Sequence, residues 1–327
     1  MASKNILGIG NALVDILTQI PDDNILRQLN LPKGSMQHVD AQTSRKVGEA
    51  LRVYGSAMAA GGSTANMVSG ASKLGVSTGY IGKVADDDLG KFFEKAMVET
   101  GVSPMMLHTP TPTGCAQAII SKDGERTFAT YLGAALELSP NDLAPEMFDG
   151  WDILFVEGYL VQNIPLVDRV LELAKGKGMT VAIDMASFNV VEQNREYLND
   201  RIKKYIDIVF ANEDEAHALT CKKDPEDALH AIASMCDIGV VKVGAKGSYV
   251  QRDDQMVRID PIPATVIDTT GAGDLWAGGF MAGYAKGEPL ERCAKTGAIV
   301  AANIIEVLGA KMDEGRWQKI VKTLEQL

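Results

Sequence analysis

A short stretch in the last quarter of the chain combines glycines and carboxylates in a spacing suited to phosphate chemistry. Residues 268–274 read DTTGAGD, preceded by Val266 and Ile267 and followed by an Ala/Gly-rich apolar run. A helix that begins with glycines exposes backbone N–H groups, which favour an anion. Asp274, at the rim of such a site, is suited to take a proton from an attacking hydroxyl. The alternative interpretation is a tight glycine turn with Asp274 as an N-terminal charge.

A second glycine pair stands before a run of small residues. Gly61 and Gly62 precede Ser-Thr-Ala and then Asn66. Paired glycines permit close approach of the backbone to a ligand, and the Asn66 amide offers both a donor and an acceptor. The alternative is a glycine turn that serves only helix packing.

The N-terminal segment 8–15 reads GIGNALVD and is not a dinucleotide fingerprint. The third glycine is missing, and a strand-like run follows where a helix should begin. Asp15 lies just past the first strand. Its carboxylate is suited to accept two hydrogen bonds from a vicinal diol, unless it is simply solvated.

Acidic and basic residues also follow two later strands. Asn212 and Glu215 come after strand 207–211, where acidic groups either order Mg²⁺ through water or cap the next helix. Lys242 leads into a glycine turn at Gly244, which reads equally as a plain hairpin with exposed lysines.

These residues need elements to position them, and strand-like runs alternate with helical ones. The predicted strands are 5–9, 77–84, 152–157, 179–184, 207–211 and 238–243, and the predicted helices are 63–74, 87–100, 164–176, 194–204, 213–220 and 225–235. Short strands that are apolar throughout are buried on both faces. They indicate a three-layer α/β/α fold with a mostly parallel central sheet.

Three strand-like runs break this alternation: 13–20, 35–40 and 114–131. We expect them to pair antiparallel, without intervening helices, as a small β lid formed by about 13–40 and 107–132. The last run contains a hairpin turn at 122–125, after which Arg126 follows. No linker-like segment divides the chain, so residues 1–327 are predicted to be one domain. The lid edges are a candidate homodimer interface.

Composition excludes several classes of partner. The 327-residue chain carries a net charge of −11, which argues against nucleic acid and anionic membranes. Its four cysteines have no zinc-binding spacing and do not suggest a disulfide framework. The start of the chain does not resemble a signal peptide, and no apolar run approaches a membrane span. We therefore expect a cytoplasmic protein.

Taken in order, these motifs resemble the PfkB (ribokinase-like) family of carbohydrate and nucleoside kinases. The 268–274 stretch is similar to the second family signature, the Gly61–Gly62 segment to the first, and GIGNALVDI to the N-terminal segment of adenosine kinases and their bacterial relatives. The resemblance implies a ribokinase-like fold and an ATP-dependent kinase that uses Mg²⁺. Many relatives also use K⁺ near the Asp268 loop.

The resemblance also assigns roles residue by residue. Asp274 would be the general base, the amides of Gly271, Ala272 and Gly273 the anion hole, and Arg126 a lid cation that reaches the transferring phosphoryl group. Sugar hydroxyls would be held by Asp15, Gly61, Gly62 and Asn66. ATP would be bound by Asn212, Lys242, Gly244, Gly247 and Asn303, with Glu215 ordering Mg²⁺ through water.

The acceptor is predicted to be a nucleoside, with the base in a slot for which Phe128, Tyr131, Tyr159 and Phe188 are candidates. A free sugar such as ribose or fructose would use the same contacts from Asp15, Gly62 and Asn66. Two alternatives of another class remain open: a non-catalytic nucleotide- or sugar-binding protein, and a nicotinamide-dependent dehydrogenase. The failed fingerprint argues against the dehydrogenase.

Overall fold

The computed structural model describes residues 3–327. The strands within these residues are β1 (Ile6–Ile9), β2 (Leu13–Gln19), β3 (Met36–His38), β4 (Ala57–Gly61), β5 (Thr78–Val84), β6 (Val102–His108), β7 (Gly114–Ile120), β8 (Arg126–Tyr131), β9 (Ile153–Glu157), β10 (Thr180–Asp184), β11 (Ile208–Asn212), β12 (Ile238–Lys242), β13 (Ser248–Arg252) and β14 (Gln255–Ile259). The helices are α1 (Asn24–Gln28), α2 (Ala41–Leu51), α3 (Ser63–Lys73), α4 (Asp88–Glu99), α5 (Ile164–Gly176), α6 (Phe188–Gln193), α7 (Arg195–Tyr205), α8 (Glu213–Thr220), α9 (Pro225–Ala233), α10 (Ala272–Ala285), α11 (Leu290–Ile304) and α12 (Glu314–Leu324).

Nine strands form the central sheet in the order β14-β13-β12-β11-β10-β9-β1-β5-β6. Pairing is parallel from β12 to β6, and β13 and β14 add an antiparallel edge. β1, β5 and β9 are buried at every position, as expected for strands covered on both faces. The predicted three-layer, mostly parallel architecture is therefore confirmed.

Each face of this sheet packs on its own buried apolar cluster. One cluster joins the sheet to α3, α10 and α11, and the other joins it to α5, α8 and α9. Glycines let α10 approach its neighbours closely: a Cβ at Gly278 would lie 2.7 Å from the Met67 carbonyl oxygen, and one at Gly279 would lie 2.9 Å from the Gly297 Cα. This close packing fixes α10, and with it the turn at its N-terminus.

Five strands form a smaller sheet in the order β3-β8-β7-β2-β4. The expectation that its strands all pair antiparallel was wrong, because β2–β7 and β3–β8 are parallel. The expected absence of intervening helices was wrong for the same region. α1 and α2 lie between its strands, and the long connections that parallel pairing requires, from β2 to β7 and from β3 to β8, pass through β5 and β6 of the central sheet.

The register of the smaller sheet sorts its side chains between two faces. Asp15 lies opposite Ala59 and Ala116, and Ile120 lies opposite Arg126. Because side chains alternate along a strand, Asp15, Leu17, Phe128 and Arg126 share one face, which we call the inner face. The other face packs on a third apolar cluster that includes Val47 of α2.

No helix within residues 3–327 is both long enough and apolar enough to cross a membrane.

Candidate active site

Polar side chains collect at one edge of the central sheet, where four neighbouring parallel strands end. The last residues of β9, β10, β11 and β12 are Glu157, Asp184, Asn212 and Lys242. Two helix N-termini reach the same edge, since the Thr64 N–H of α3 donates to Glu157 and Asn66 of α3 bonds to Asp274 of α10. Open α/β sheets bind ligands at the carboxyl ends of their strands. This edge is therefore the candidate active site.

The Gly271–Asp274 turn starts α10 in the geometry that an anion site needs. Gly271 has φ +73°, in the left-handed region that favours glycine, and it immediately precedes the 14-residue helix α10. Asn66 Nδ2 donates to Asp274 Oδ2 at 2.9 Å, which fixes the carboxylate over the turn. Burial raises the pKa of Asp274 to about 6; the nearby Asp184 adds to this, while Asn66 and Lys242 act against it. Asp274 is therefore mostly ionised at neutral pH, with a pKa close enough to neutrality for it to take up a proton.

Lys242 lies directly beside this turn. Its Nζ is 2.8 Å from Asp184 Oδ2 and would be 3.3 Å from a Cβ placed on Gly273. Burial would lower the pKa of Lys242, but Asp184 and Glu215 outweigh it and the pKa is raised. A permanently charged ammonium therefore faces the site where the turn would hold a phosphate.

Asp15 and the first glycine pair form the opposite wall. A Cβ at Gly61 would lie 2.5 Å from the Asp15 carboxylate, so only glycine leaves room for that side chain. Gly62 has φ +97°, and a Cβ there would lie 2.3 Å from the Asn11 carbonyl oxygen. Burial and the negative charge of Asp274 raise the pKa of Asp15 to about 7. The carboxylates of Asp15 and Asp274 therefore interact electrostatically across the space where an acceptor would lie.

Arg126 connects the smaller sheet to the loop before the glycine turn. Its guanidinium donates to the Asp268 carboxylate and to the Thr270 hydroxyl. Asp268 also accepts from the backbone N–H groups of Thr270 and Gly309. Burial would raise the pKa of Asp268, but these hydrogen bonds hold it below its usual value. Arg126 is therefore held next to the anion site without pointing into it.

Glu215 forms a reciprocal capping box with Asn212. Its two carboxylate oxygens accept from the Asn212 N–H and from the Asn212 side-chain amide, both at 2.8 Å, and its own N–H donates to Asn212 Oδ1 at 2.9 Å. Burial and the nearby Asp184 raise the pKa of Glu215 to about 7. Within residues 3–327 no cluster of three or more acidic, His or Cys side chains is arranged to hold a metal. The role of Glu215 in ordering Mg²⁺ through water therefore stays a prediction.

A family model for pfkB carbohydrate kinases matches residues 34–314. The chain belongs to the pfkB family. Its fold matches that of the adenosine kinase from Sinorhizobium meliloti with a TM-score of 0.87 and 32% identity, covering 98% of this chain and 100% of that one. A probable sugar kinase from Rhizobium etli matches with the same TM-score of 0.87 and 30% identity, covering 99% of each chain. The ribokinase of Haemophilus influenzae is 27% identical over 290 residues, 86% of this chain and 92% of that protein.

Membership of this family makes the chain a phosphotransferase with an alcohol group as acceptor, and it removes the dehydrogenase alternative. The structure brings most of the predicted site residues of this pfkB protein together. Asp15, Gly61, Gly62, Asn66, Lys242 and the Gly271–Asp274 turn converge at the strand ends, and Arg126 stands beside them.

The structure gives less direct support for three of the residues predicted to bind ATP. Gly244 is exposed with φ +54°. Gly247 has φ +96°, and a Cβ there would lie 2.0 Å from the Ile259 carbonyl oxygen, which accounts for the glycine by backbone packing alone. The Asn303 amide donates to Ile299 of its own helix at 2.9 Å. Their roles in binding ATP remain predictions.

Two buried carboxylates of the pfkB site were missed from the sequence. Asp184 holds Lys242, and Glu157 accepts from the Asn11 N–H at 3.2 Å and from the Asn11 side chain at 2.6 Å. Burial raises the pKa of Glu157 to about 7. Both are the last residue of an apolar predicted strand, and a charge at that position is the signal that could have found them.

The four aromatic candidates for a base slot do not form one group. Phe128 lies on the inner face of the smaller sheet, whereas Tyr131 alternates to the other face. Tyr159 follows β9, and Phe188 is exposed at the start of α6. The sequence could not separate them, because strand register decides which side each ring faces.

Proposed function

We propose that this protein transfers the γ-phosphate of ATP to a hydroxymethyl group of a nucleoside, with Asp274 as the general base. The observation that supports this most directly is the placement of Asp274. It lies at the open end of a left-handed glycine turn, hydrogen-bonded to Asn66, with a pKa raised to about 6. A base poised near the working pH is what proton abstraction from an alcohol needs. The likeness to a bacterial adenosine kinase favours a nucleoside as the acceptor.

In the proposed reaction, the acceptor lies between Asp15 and Asp274. Asp15, Gly61, Gly62 and Asn66 hold the sugar hydroxyls. As the hydroxymethyl oxygen attacks the γ-phosphorus in line, Asp274 takes its proton and the bond to the ADP leaving oxygen breaks. The backbone N–H groups of Gly271, Ala272 and Gly273 stabilise charge on the transferring phosphoryl group.

The cations around the turn act on the same developing charge. Lys242 is already beside Gly273, so it needs no rearrangement to contact a phosphate. Arg126 is bonded to Asp268 and Thr270 and would have to leave these partners to reach the transferring group. We propose that the smaller sheet acts as a lid of a single domain and that its closure moves Arg126. Asn212, Gly244, Gly247 and Asn303 are proposed to line the ATP path.

The test is ADP release from ATP and Mg²⁺ with adenosine, inosine, guanosine, ribose, fructose and 2-keto-3-deoxygluconate as acceptors. We expect one or more nucleosides to give the highest kcat/KM and the turnover to be lost in Asp274→Asn. Turnover of a free sugar with none of any nucleoside would contradict the proposal. A free sugar is the second candidate, favoured by the 27% identity to a ribokinase over most of both chains.

Two further predictions concern a potassium site, which the family resemblance implies, and a homodimer, which the exposed edges of the lid suggest. Potassium is proposed to bind near the Asp268 loop, which a comparison of kcat in potassium and in choline salts would test. A homodimer is proposed to form through the edge strands β3 and β4 of the smaller sheet, which are exposed at Met36 and Met58. Sedimentation as a monomer at high protein concentration would contradict the dimer.

A further inference from the structure

Three carboxylates surround the Lys242 ammonium group, but only one of them is bonded to it. Asp184, at the end of β10, lies 2.8 Å from Lys242 Nζ. Within residues 3–327, Glu215 of α8 and Asp274 of α10 act on this lysine through their charge, without a direct ion pair. Both partners of the bonded pair are nearly buried, with 13% of the lysine side chain and 8% of the aspartate side chain exposed. The choice of partner therefore decides in which direction this cation is held.

The other two carboxylates have hydrogen-bond partners of their own. Both oxygens of Glu215 accept from Asn212, and Asp274 Oδ2 accepts from Asn66. Among the described residues, Asp274 Oδ1 accepts no hydrogen bond, so it is the oxygen that can accept from an acceptor hydroxyl. The same oxygen would be open to the lysine if its present partner released it.

The backbone that follows β10 holds the Asp184 carboxylate in its present direction. Asp184 Oδ1 accepts from the Ala186 N–H at 3.1 Å, while Oδ2 faces Lys242. Ala186 has φ +62°, which is uncommon for a residue other than glycine and persists only where the surroundings enforce it. A Cβ at Gly158 would lie 2.2 Å from the Asp184 carbonyl oxygen, so the residue after β9 packs directly on this turn. The carboxylate is therefore fixed by closely packed backbone.

Lys242 lies within reach of both the phosphate side and the base. Its Nζ would be 3.3 Å from a Cβ on Gly273, the residue immediately before Asp274. A lysine side chain is flexible and carries a compact charge, so it turns toward the strongest acceptor available. An ion pair with Asp274 would make that carboxylate a weaker base and would draw the cation away from the phosphate side.

We propose that Asp184 is a positioning residue that holds the Lys242 ammonium group on the phosphate side of the glycine turn and away from Asp274. This inference rests on the proposed role of Asp274 as the general base, and it applies to a nucleoside and to a free sugar alike. Asp184 acts through Lys242 and touches neither substrate. Its removal weakens the base twice, once because its own negative charge is lost and once because the lysine approaches Asp274.

The charged and titratable groups around Asp274 come from several elements of the fold. Burial raises its pKa first, the charge of Asp184 raises it further, and Asn66 and Lys242 lower it. The other groups whose own pKa values respond to its charge are Asp15 of β2, Glu157 at the end of β9, Tyr159 after β9 and Glu215 of α8. Lys242 is thus the cation whose position sets how basic Asp274 is.

The test is the pH dependence of kcat/KM for the acceptor at saturating ATP and Mg²⁺. Adenosine is the acceptor, or ribose if adenosine is not turned over. We expect the lower step of the wild-type profile near pH 6, from Asp274. In Asp184→Asn this step should move to lower pH by about 1 unit, as for a carboxylate that gains a neighbouring cation, and kcat at pH 8 should fall roughly tenfold.

A double-mutant cycle shows whether the shift passes through Lys242. In a Lys242→Met background, Asp184→Asn should move the lower step by less than half as much, because no cation is left to approach Asp274. Equal shifts in the two backgrounds overturn the proposal. A lower step that stays at its wild-type position in Asp184→Asn overturns it as well.

Two further variants separate positioning from stability. Asp207→Asn removes a carboxylate that pairs with Lys175 at 2.7 Å just before β11, at the opposite end of that strand from Asn212. This control should lower the melting temperature without moving the step. Asp184→Glu keeps the negative charge, and its step should stay within about half a unit of the wild type even if its stability falls. A step that moves as far as in Asp184→Asn would contradict the proposal.

Failure of this inference and failure of the proposed function give different results. A kcat for Asp274→Asn within about tenfold of the wild type removes the base and overturns both. Loss of activity in Asp274→Asn, together with an unmoved lower step in Asp184→Asn, overturns the inference alone and leaves the base in place.

Discussion

The phosphate side and the acceptor side of this cleft are built in different ways. On the phosphate side, a contiguous turn supplies Gly271 to Asp274, and Lys242 is buried in a 2.8 Å ion pair with Asp184. On the proposed acceptor side, Asp15 comes from β2 of the smaller sheet, Gly61 from β4 and Asn66 from α3. In the proposed assignment, the phosphate side is centred on one contiguous turn, whereas the acceptor side is assembled from segments that are distant in sequence.

The largest effect should come from removing the proposed base. Asp274→Asn keeps the side-chain volume and an oxygen that can accept from Asn66. We expect kcat to fall about 10²- to 10⁴-fold, as for loss of a general base, with little change in the KM of either substrate. Asp254→Asn, in the exposed turn between β13 and β14, is the matched control. A kcat within tenfold of the wild type would remove Asp274 as the base.

The next largest effect should distinguish Lys242, which lies beside Gly273, from the exposed Lys246 four residues later in the sequence. Lys242→Met removes a cation next to the glycine turn and leaves Asp184 without its partner. We expect kcat/KM for ATP to fall about 10²- to 10³-fold, as when one preorganised group is lost from a charge-stabilising site. Lys246→Met, on the same turn but 76% exposed, should change it less than twofold. Equal losses in the two variants would show that Lys242 acts only through general charge.

Activity should depend on pH through both sides of the cleft. Asp274, with a pKa of about 6, must be ionised to take a proton, and Asp15, with a pKa of about 7, must be ionised to accept hydrogen bonds at both of its oxygens. We expect kcat/KM to fall as the pH drops below about 7 and more steeply, toward a hundredfold per unit, below about 6. Asp15→Asn should remove the upper step only. A profile that is flat from pH 8 to 5.5 would contradict both assignments.

The free energy of unfolding should change with pH in the opposite direction to the activity, over the same pH range. Asp274, Asp15 and Glu157 have pKa values raised on folding to about 6, 7 and 7, so the folded state binds more protons than the unfolded chain between about pH 4 and 7. The free energy of unfolding therefore falls as the pH rises through this range. Melting temperatures should be higher at pH 5.5 than at pH 8, and Glu157→Gln should reduce the difference.

The smallest effect concerns the wall between Asp15 and the phosphate turn. Gly62→Ala would strain a backbone at φ +97° and place a methyl group 2.3 Å from the Asn11 carbonyl oxygen. We expect a loss of more than about 1 kcal/mol in the free energy of unfolding, measured in urea. Gly178→Ala is the control, because its φ is +71° but nothing lies within 4 Å of the added Cβ. Equal losses would attribute the effect to backbone strain alone.

The same contrast explains which features the sequence could predict. Two features depend on residues only a few positions apart: the Gly271–Asp274 turn and the capping pair Asn212–Glu215. Both can therefore be predicted from the sequence. Six of the nine central strands, β1, β5 and β9 to β12, were predicted, most of them from short apolar runs that mark burial on both faces, whereas β6, β13 and β14 were not. Predicting these features does not require knowing which strands pair with which.

Features that depend on register or on weak local signals were missed. β4 reads AMAAG, and its small residues have little strand preference; it forms by pairing with β2. Neither the ion pair of Asp184 with Lys242, 58 residues apart, nor that of Arg126 with Asp268, 142 residues apart, has a local signature. Parallel pairing in the smaller sheet was missed because the connections from β2 to β7 and from β3 to β8 pass through the central sheet, and the sequence does not show which of these strands become neighbours.

Asp268 contacts three parts of the molecule at once: Arg126 of the smaller sheet, the Gly309 N–H of the loop that follows α11, and the Thr270 N–H before the glycine turn. A ligand that shifts any one of these contacts also changes the positions of the groups in the other two. The two substrates should therefore bind with a coupling free energy rather than independently. By linkage, the factor by which a non-hydrolysable ATP analogue tightens or weakens acceptor binding must equal the factor by which the acceptor changes affinity for the analogue.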